Sequence, residues 1–227
     1  MTIEPLFEDN HLLVVIKPSD IPCQADDSGD PDMLTLLKED IKIRHQKPGN
    51  VFLGLVHRLD RPTGGIMVFA RTSKAASRLS DQMRKHDIRK TYLAAVQGHP
   101  PANGNMVDYL IKDREKNRVS VCEQHTEGAR DAELKYETLC NKGASSLVKV
   151  ALKTGRSHQI RVQFASRGYA LLGDKRYNPN PEDTPLGLWA VELSFSHPTT
   201  KEAMCFRTSP PADPPWDIFD RSEFDLQ

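Results

Sequence analysis

Cysteine is scarce: Cys23, Cys122, Cys140 and Cys205 stand singly along 227 residues. With no Cys-x-x-Cys pair and no histidine pair nearby at metal-ligand spacing, the sequence offers neither a disulfide framework nor a zinc site. Four free thiols in a reducing compartment are expected. Long apolar runs are also missing, since none approaches the roughly 20 residues that span a bilayer. The opening Met1-Thr2-Ile3-Glu4-Pro5 lacks the basic and apolar regions of a secretory signal. A cytoplasmic location without membrane association follows as the expectation. Neither sign of charge is in excess, because 31 basic residues balance 31 acidic ones. A nucleic-acid partner would therefore have to be held by a local patch rather than by the field of the whole molecule. The chain shows no Gly-rich phosphate cradle and no Ser-His-Asp arrangement, and nothing in it asks for a metal or a cofactor.

What is present is the composition of a globular protein, 38% hydrophobic and 27% charged. A chain of this length buries one sizeable core. The expectation is one catalytic domain over residues 1–208, followed by a Pro-rich tail over 209–227. The stretch from Ser209 to Trp216 holds four prolines in eight residues, so it is expected to contain no regular element and to wrap the surface or fray. Two basic clusters stand out, Arg84-Lys85-His86 with Arg89-Lys90, and Lys153, Arg156, His158, Arg161 and Arg167. Alone, either reads as a solvated face.

Along the chain, Leu6 to Ile16 reads as a strand or hairpin ended by Lys17-Pro18, and Met33, Leu34, Leu36, Leu37 and Ile41 recur at helical spacing. Thr72-Ser73 caps a helix running to about His86. Strands are expected at Thr91 to Val96, Val119 to Cys122, Ala132 to Leu139, Ser146 to Leu152, Leu188 to Phe195 and Ala203 to Arg207, with a charged turn at Lys112 to Arg118. Thr154-Gly155-Arg156-Ser157 introduces a helix of about ten residues closed by Gly168. Strands outnumber helices and follow at hairpin spacing, so the class is α+β, a mixed, largely antiparallel sheet flanked by helices.

The chemistry centres on His57-Arg58-Leu59-Asp60-Arg61-Pro62-Thr63-Gly64-Gly65, a polar segment between the apolar stretches Val51 to Val56 and Ile66 to Ala70. An aspartate in such a loop is held rigidly near apolar walls, and adjacent arginines favour the ionised form that a nucleophile needs. Taken alone, Asp60 reads first as a loop residue that merely caps or forms an ion pair.

This segment resembles the signature of the RluA family of pseudouridine synthases, with Gly64 where that family usually has Ser. Further stretches follow in the family's order: Ile16-Lys17-Pro18, Lys90-Thr91-Tyr92-Leu93-Ala94, Thr154 to Arg161, and Leu172-Gly173-Asp174-Lys175-Arg176-Tyr177. The resemblance covers about Pro5 to Phe206. Gln163 stands where the family often has His, and the family's frequent N-terminal RNA-binding domain is not expected, because the pattern begins within the first ten residues.

The resemblance implies the pseudouridine synthase fold and an RNA-modifying isomerase acting on ribosomal or transfer RNA, without cofactor. It implies Asp60 as nucleophile, Tyr92 as the active-site aromatic and Arg161 as an ion-pair partner of the catalytic carboxylate. A base taken out of its stack needs a replacement face, which an aromatic supplies. Arg58, Arg61, Arg156, His158 and Ile160 are the expected RNA-binding residues, with His158 and Arg161 on one helix face. Gly64-Gly65 is expected to loosen the loop after Asp60. A monomer is the default. Two other classes remain open here, a non-catalytic RNA-binding module, which would tolerate loss of Asp60, and an aspartate-pair hydrolase, which would need a second carboxylate about 5 to 10 Å away.

Overall fold

The computed structural model describes residues 3–224 of the chain. In chain order the first elements are β1 (Pro5–Glu8), β2 (Leu12–Lys17), α1 (Met33–Arg44), β3 (Gly54–Leu55), β4 (Gly64–Ala70) and α2 (Ser73–Arg84). There follow β5 (Arg89–Gln97), β6 (Asn103–Asp113), β7 (Arg118–Cys122), β8 (Arg130–Lys142), β9 (Ser145–Leu152) and α3 (Gln159–Ala165). The chain ends with β10 (Leu188–Ser196), β11 (Ala203–Arg207) and a 3-10 turn at Arg221–Phe224. The chain forms two compact units, Met1–Arg89 with Glu192–Thr208, and Lys90–Val191 with Ser209–Gln227.

In the first unit β2 is paired antiparallel with β1 and with β4, and the register sets Lys17 opposite Gly65. That register decides the site, because it places the last residue of β2 at the mouth of the loop that precedes β4. All seven residues of β4 are buried, which explains why Gly64 to Ala70 reads as a continuous apolar run rather than an alternating one. Gly64 and Gly65 therefore belong to a strand, and the expected loosening of the loop at these two glycines is corrected: both are buried in β4, and Gly65 is paired with Lys17 of β2. Helix α2 starts where its sequence signal stands, with the Thr72 hydroxyl accepting the Ala75 N–H at 3.1 Å. Its Ala75 and Leu79 join Leu12, Val14, Ile66, Val68, Leu193 and Phe195 in one core cluster. Over Glu192–Ser196, β10 pairs with β11 in the same unit.

The second unit is an antiparallel ladder in the order β5-β9-β8-β6-β7. Strand β6, eleven residues long, has no counterpart in the sequence reading. Its Asn-Gly start and its short polar and charged interruptions hide the alternation. Leu110, Val119, Ala132, Val162 and Tyr177 form a core cluster between β6, β7, β8 and α3. The Pro-rich stretch contains no regular element, as expected, but it does not fray: Trp216, Phe219 and Phe224 are buried, and Lys142 pairs with Asp220 at 2.7 Å. Three large aromatics give this tail more apolar area to bury than its prolines suggest. The α+β class with a largely antiparallel sheet and flanking helices is the observed one.

Candidate active site

Asp60 sits in the loop between β3 and β4, partly buried, and the backbone around it is held residue by residue. The His57 Nε2 accepts the Val68 N–H at 3.1 Å, tying the start of the loop to β4. The Leu59 side chain is buried, and its carbonyl accepts the Cys23 thiol at 3.3 Å. The Asp60 carbonyl accepts the Thr63 N–H at 2.9 Å, closing a turn. The next carbonyls go to Lys17, whose ammonium donates to Arg61 O at 2.9 Å, Thr63 O at 2.8 Å and Pro18 O at 2.9 Å.

Lys17 is fully buried, and this is unusual for a lysine. Burial pulls its pKa down to about 8, against the charges of Cys23, Asp20 and Asp60, which favour the ammonium. Three carbonyls match the three donors of the ammonium, so its hydrogen-bonding capacity is filled. The arrangement leaves the Asp60 backbone little freedom, which is what a nucleophile that must meet a substrate atom in one geometry requires.

Arg58 is exposed. The Arg61 guanidinium turns away along the preceding loop, with Nε on Asp20 O at 3.1 Å, Nη1 on Ser28 Oγ at 3.1 Å, and Nη2 on the Asp30 carboxylate. Its hydrogen bond holds the Asp30 carboxyl below the usual carboxylate range. Arg61 thus fastens the segment between Asp20 and Asp30 beside the nucleophile.

In the second unit Tyr92 lies buried on β5. Arg161 is one turn into α3, buried, with a fork onto Asp174: Nε to Oδ2 at 2.8 Å and Nη2 to Oδ1 at 2.7 Å. Burial would raise the Asp174 carboxyl, but Arg161 and the N–H groups of Arg176 and Tyr177 outweigh it and hold the group below its ordinary value. The Arg161 guanidinium also lies 5.2 Å from the centroid of the Tyr177 ring. The Tyr177 hydroxyl accepts the Val119 N–H at 2.8 Å and lies 2.8 Å from His158 Nδ1.

The expected helix of about ten residues to Arg167 is corrected to a shorter one. The element is seven residues long, and His158 precedes it in a left-handed conformation, φ 51°. Thr154 and Arg156 are held instead by Gln159, whose Oε1 accepts the Thr154 hydroxyl at 2.9 Å and the Arg156 N–H at 3.0 Å. His158 and Arg161 do not share a helix face as expected, and they meet through Tyr177. Arg156 is docked on Asp131, with Nε to the carbonyl at 2.7 Å and Nη2 to the carboxylate at 2.6 Å. Ile160 is buried, 4% exposed, so any part it takes with substrate is as an apolar wall. Gln163, in the place often held by His, donates to the Asp108 carboxylate at 2.6 Å.

Arg58, Asp60 and Arg61 thus lie in the first unit, while Tyr92, Arg156, His158, Ile160 and Arg161 lie in the second. Sequence reasoning assigned no role to Lys17, Cys23, Asp174 or Tyr177. Lys17 carried a signal, a cation ending an apolar strand just before Pro18. Asp174 and Tyr177 carried one too, as polar residues of a matched segment flanking two more cations. Among the described residues no group of three or more His, Cys, Asp or Glu side chains is placed to hold a metal ion. No helix among them is long and apolar enough to cross a membrane.

Comparison with known proteins places these features. The dual-specificity RNA pseudouridine synthase RluA of Escherichia coli is 34% identical over 221 residues, covering 92% of each chain. The ribosomal large subunit pseudouridine synthase C of Buchnera aphidicola is 34% identical over 209 residues, 88% of this chain and 64% of that protein. This chain therefore spans less than two thirds of the Buchnera protein. The human RNA pseudouridylate synthase domain containing 4 has the same fold, with a TM-score of 0.77 at 24% identity over 91% of this chain and 88% of that one. The profile of the RNA pseudouridylate synthase family matches residues 11–166, a span that includes the Asp60 loop, Tyr92 and Arg161. The chain belongs to the RNA pseudouridylate synthase family.

Proposed function

We propose that the protein isomerises uridine to pseudouridine in structured RNA, ribosomal or transfer RNA, with Asp60 as the nucleophile. The observation that carries this reading is the clamp on the Asp60 loop: a fully buried ammonium and a buried thiol hold the carbonyls on either side of one carboxylate. Such fixing of a partly exposed acid makes sense where that acid must attack a defined atom.

The reaction needs no outside oxidant or co-reactant. Asp60 attacks, at the sugar or at the base, and the bond between the sugar and the base nitrogen breaks. The base rotates, its ring carbon bonds to the sugar, the bond to Asp60 breaks, and the proton on that carbon leaves while the freed ring nitrogen takes one up. Product and substrate have the same atoms. Tyr92 supplies a face for the base out of its stack and a phenol near the proton that must leave. Arg161, already set by Asp174, supplies a fixed positive charge for a carboxylate. Arg58, Arg61, Arg156 and His158 are the polar groups offered to RNA, with Ile160 as an apolar wall. The protein works as a monomer in the cytoplasm.

Asp60→Asn keeps size and most hydrogen bonding while removing the nucleophilic charge. Pseudouridine formation in an unmodified RNA transcript should fall by about a thousandfold or more, while RNA affinity changes less than about threefold. Activity within tenfold of the wild type defeats the assignment.

A further inference from the structure

The tip joining β6 to β7 contains four cations, Lys112, Arg114, Lys116 and Arg118, against Asp113 and Glu115, all seven residues of Lys112–Arg118 being exposed. Arg130, at the start of the neighbouring β8, adds a fifth cation where it pairs with Leu110. Among the described residues, Lys112, Arg114, Arg118 and Arg130 have no carboxylate at ion-pair distance, and Lys116 reaches Asp113 only at 3.9 Å. Other cations of the chain are closely paired. Arg44, Arg61, Arg84, Lys142, Arg156, Arg161 and Arg167 each meet a carboxylate at 2.9 Å or less. In a protein of zero formal charge, uncompensated cations collected on one hairpin make a local positive field.

The hairpin is fastened to the site in its own unit. Arg176, two residues beyond Asp174, donates to the carbonyls of Lys116 at 3.0 Å and Asn117 at 2.7 Å. The Arg118 guanidinium lies 5.3 Å from the centroid of the Tyr177 ring, the ring that also carries Arg161. The Val119 N–H is bonded to the Tyr177 hydroxyl. A solvated turn would not need three anchors to the segment that orients Arg161 and His158.

We propose that the β6–β7 hairpin is an arm that binds the phosphodiester backbone of the substrate RNA outside the target nucleotide, and that Tyr177 and Arg176 fix its position relative to Arg161. The inference rests on RNA being the substrate, as proposed above. Ribose-phosphate is the chemistry that fits: multiple exposed cations without an aromatic or apolar pocket position a polyanion without reading its bases.

The test uses the full chain and an unmodified transcript of bacterial large-subunit ribosomal RNA. In the double variant Arg114→Gln/Lys116→Gln, affinity at physiological salt should weaken about tenfold, and the log–log salt slope should become shallower by roughly 1 to 2. The rate at saturating RNA should stay within about twofold, and Arg114→Lys/Lys116→Arg should behave as the wild type. Thermal melting of both variants shows whether the fold is kept, which these exposed positions favour. Unchanged affinity and slope in a folded Gln variant overturns the arm, as does a lost rate at unchanged affinity. If the wild type forms no pseudouridine in this RNA yet binds it with a hairpin-dependent slope, the proposed activity fails and the arm stands.

Discussion

At the scale of single residues, Lys17 offers the sharpest thermodynamic signature. Burial lowers its pKa to about 8 from 10.5. Between those values the unfolded chain binds more protons at this residue than the folded one, so its contribution to stability rises with pH across the window and is lost as pH falls through about 8. Lys17→Met removes both the titration and the donors for three carbonyls. At pH 7 it should cost about 3 kcal/mol, because orphaned buried carbonyls outweigh relief of a buried charge. Between pH 8 and pH 10 the difference between wild type and variant should widen by up to about 1.4 kcal/mol per pH unit. Urea unfolding of both proteins across that range measures it, and a pH-independent difference sinks the account. Tyr92 divides differently, because stacking needs the ring and proton transfer needs the phenol. Tyr92→Phe is expected to bind RNA normally and form the Asp60 adduct but not complete turnover, whereas Tyr92→Leu loses orientation as well. Full multiple turnover by the Phe variant would leave stacking as the only role of Tyr92.

Elements show where the sequence was readable and where it was not. Helix α2 and strands β2, β5, β9, β10 and β11 carry their own signals, a capping threonine or an apolar run, and they occur close to where those signals stand. Strand β6 has no such signal, since its fully buried side chains are only Met106 and Leu110 while Val107, Tyr109 and Ile111 on the alternate positions are apolar too and blur the alternation, and its pairing with β8 is a long-range fact. The start of α3 was missed for another reason. His158 adopts a left-handed conformation that only its hydrogen-bonded surroundings stabilise, and Gln159 gathers Thr154, Arg156 and the Glu133 carbonyl into a non-helical turn. In the same way Asp60 is legible in its motif, but its clamp is not, because Lys17 and Cys23 are brought under the loop by the register of β2 on β4. The turn before Asp174 is equally dependent on tertiary contact. Gly173 has φ 66°, and a Cβ there would lie 2.2 Å from Pro185 O and 2.5 Å from Thr184 O. Neither is a side chain that can swing aside. Gly173→Ala should therefore displace the Asp174 turn, lower stability by about 2 to 4 kcal/mol, and reduce the isomerisation rate through Arg161 even below the melting temperature. Wild-type melting and rate in this variant would show that the turn adapts.

For the molecule as a whole, charge is the property that the sequence states outright. With 31 residues of each sign and a pI near 7.1, the protein has almost no net repulsion at neutral pH. Its electrostatics must then be local. Among the described residues half of the sixteen arginines meet a carboxylate, and of the cations that do not, Lys112, Arg114, Arg118 and Arg130 gather at the β6–β7 hairpin. Two consequences pull in opposite directions. Specific binding can remain strongly salt-dependent, since counterion release counts phosphates contacted and not net charge. Colloidal stability should be poorest near neutrality, because like-charge repulsion between copies vanishes there while the local patches stay attractive to the acidic patches of neighbours. Solubility of the RNA-free protein at low salt is expected to pass through a minimum close to pH 7, to rise on either side, and to recover at pH 7 on adding salt, which screens patch-to-patch attraction. Bound RNA should remove the minimum, since it covers cations and adds negative charge. Light scattering across pH, with and without a stem–loop RNA, measures both effects. A minimum that persists unchanged with RNA bound would mean that the attraction between copies lies in surfaces the RNA does not touch, and would move its cause from the basic hairpin to the exposed apolar side chains Ile43, Phe52 and Val107.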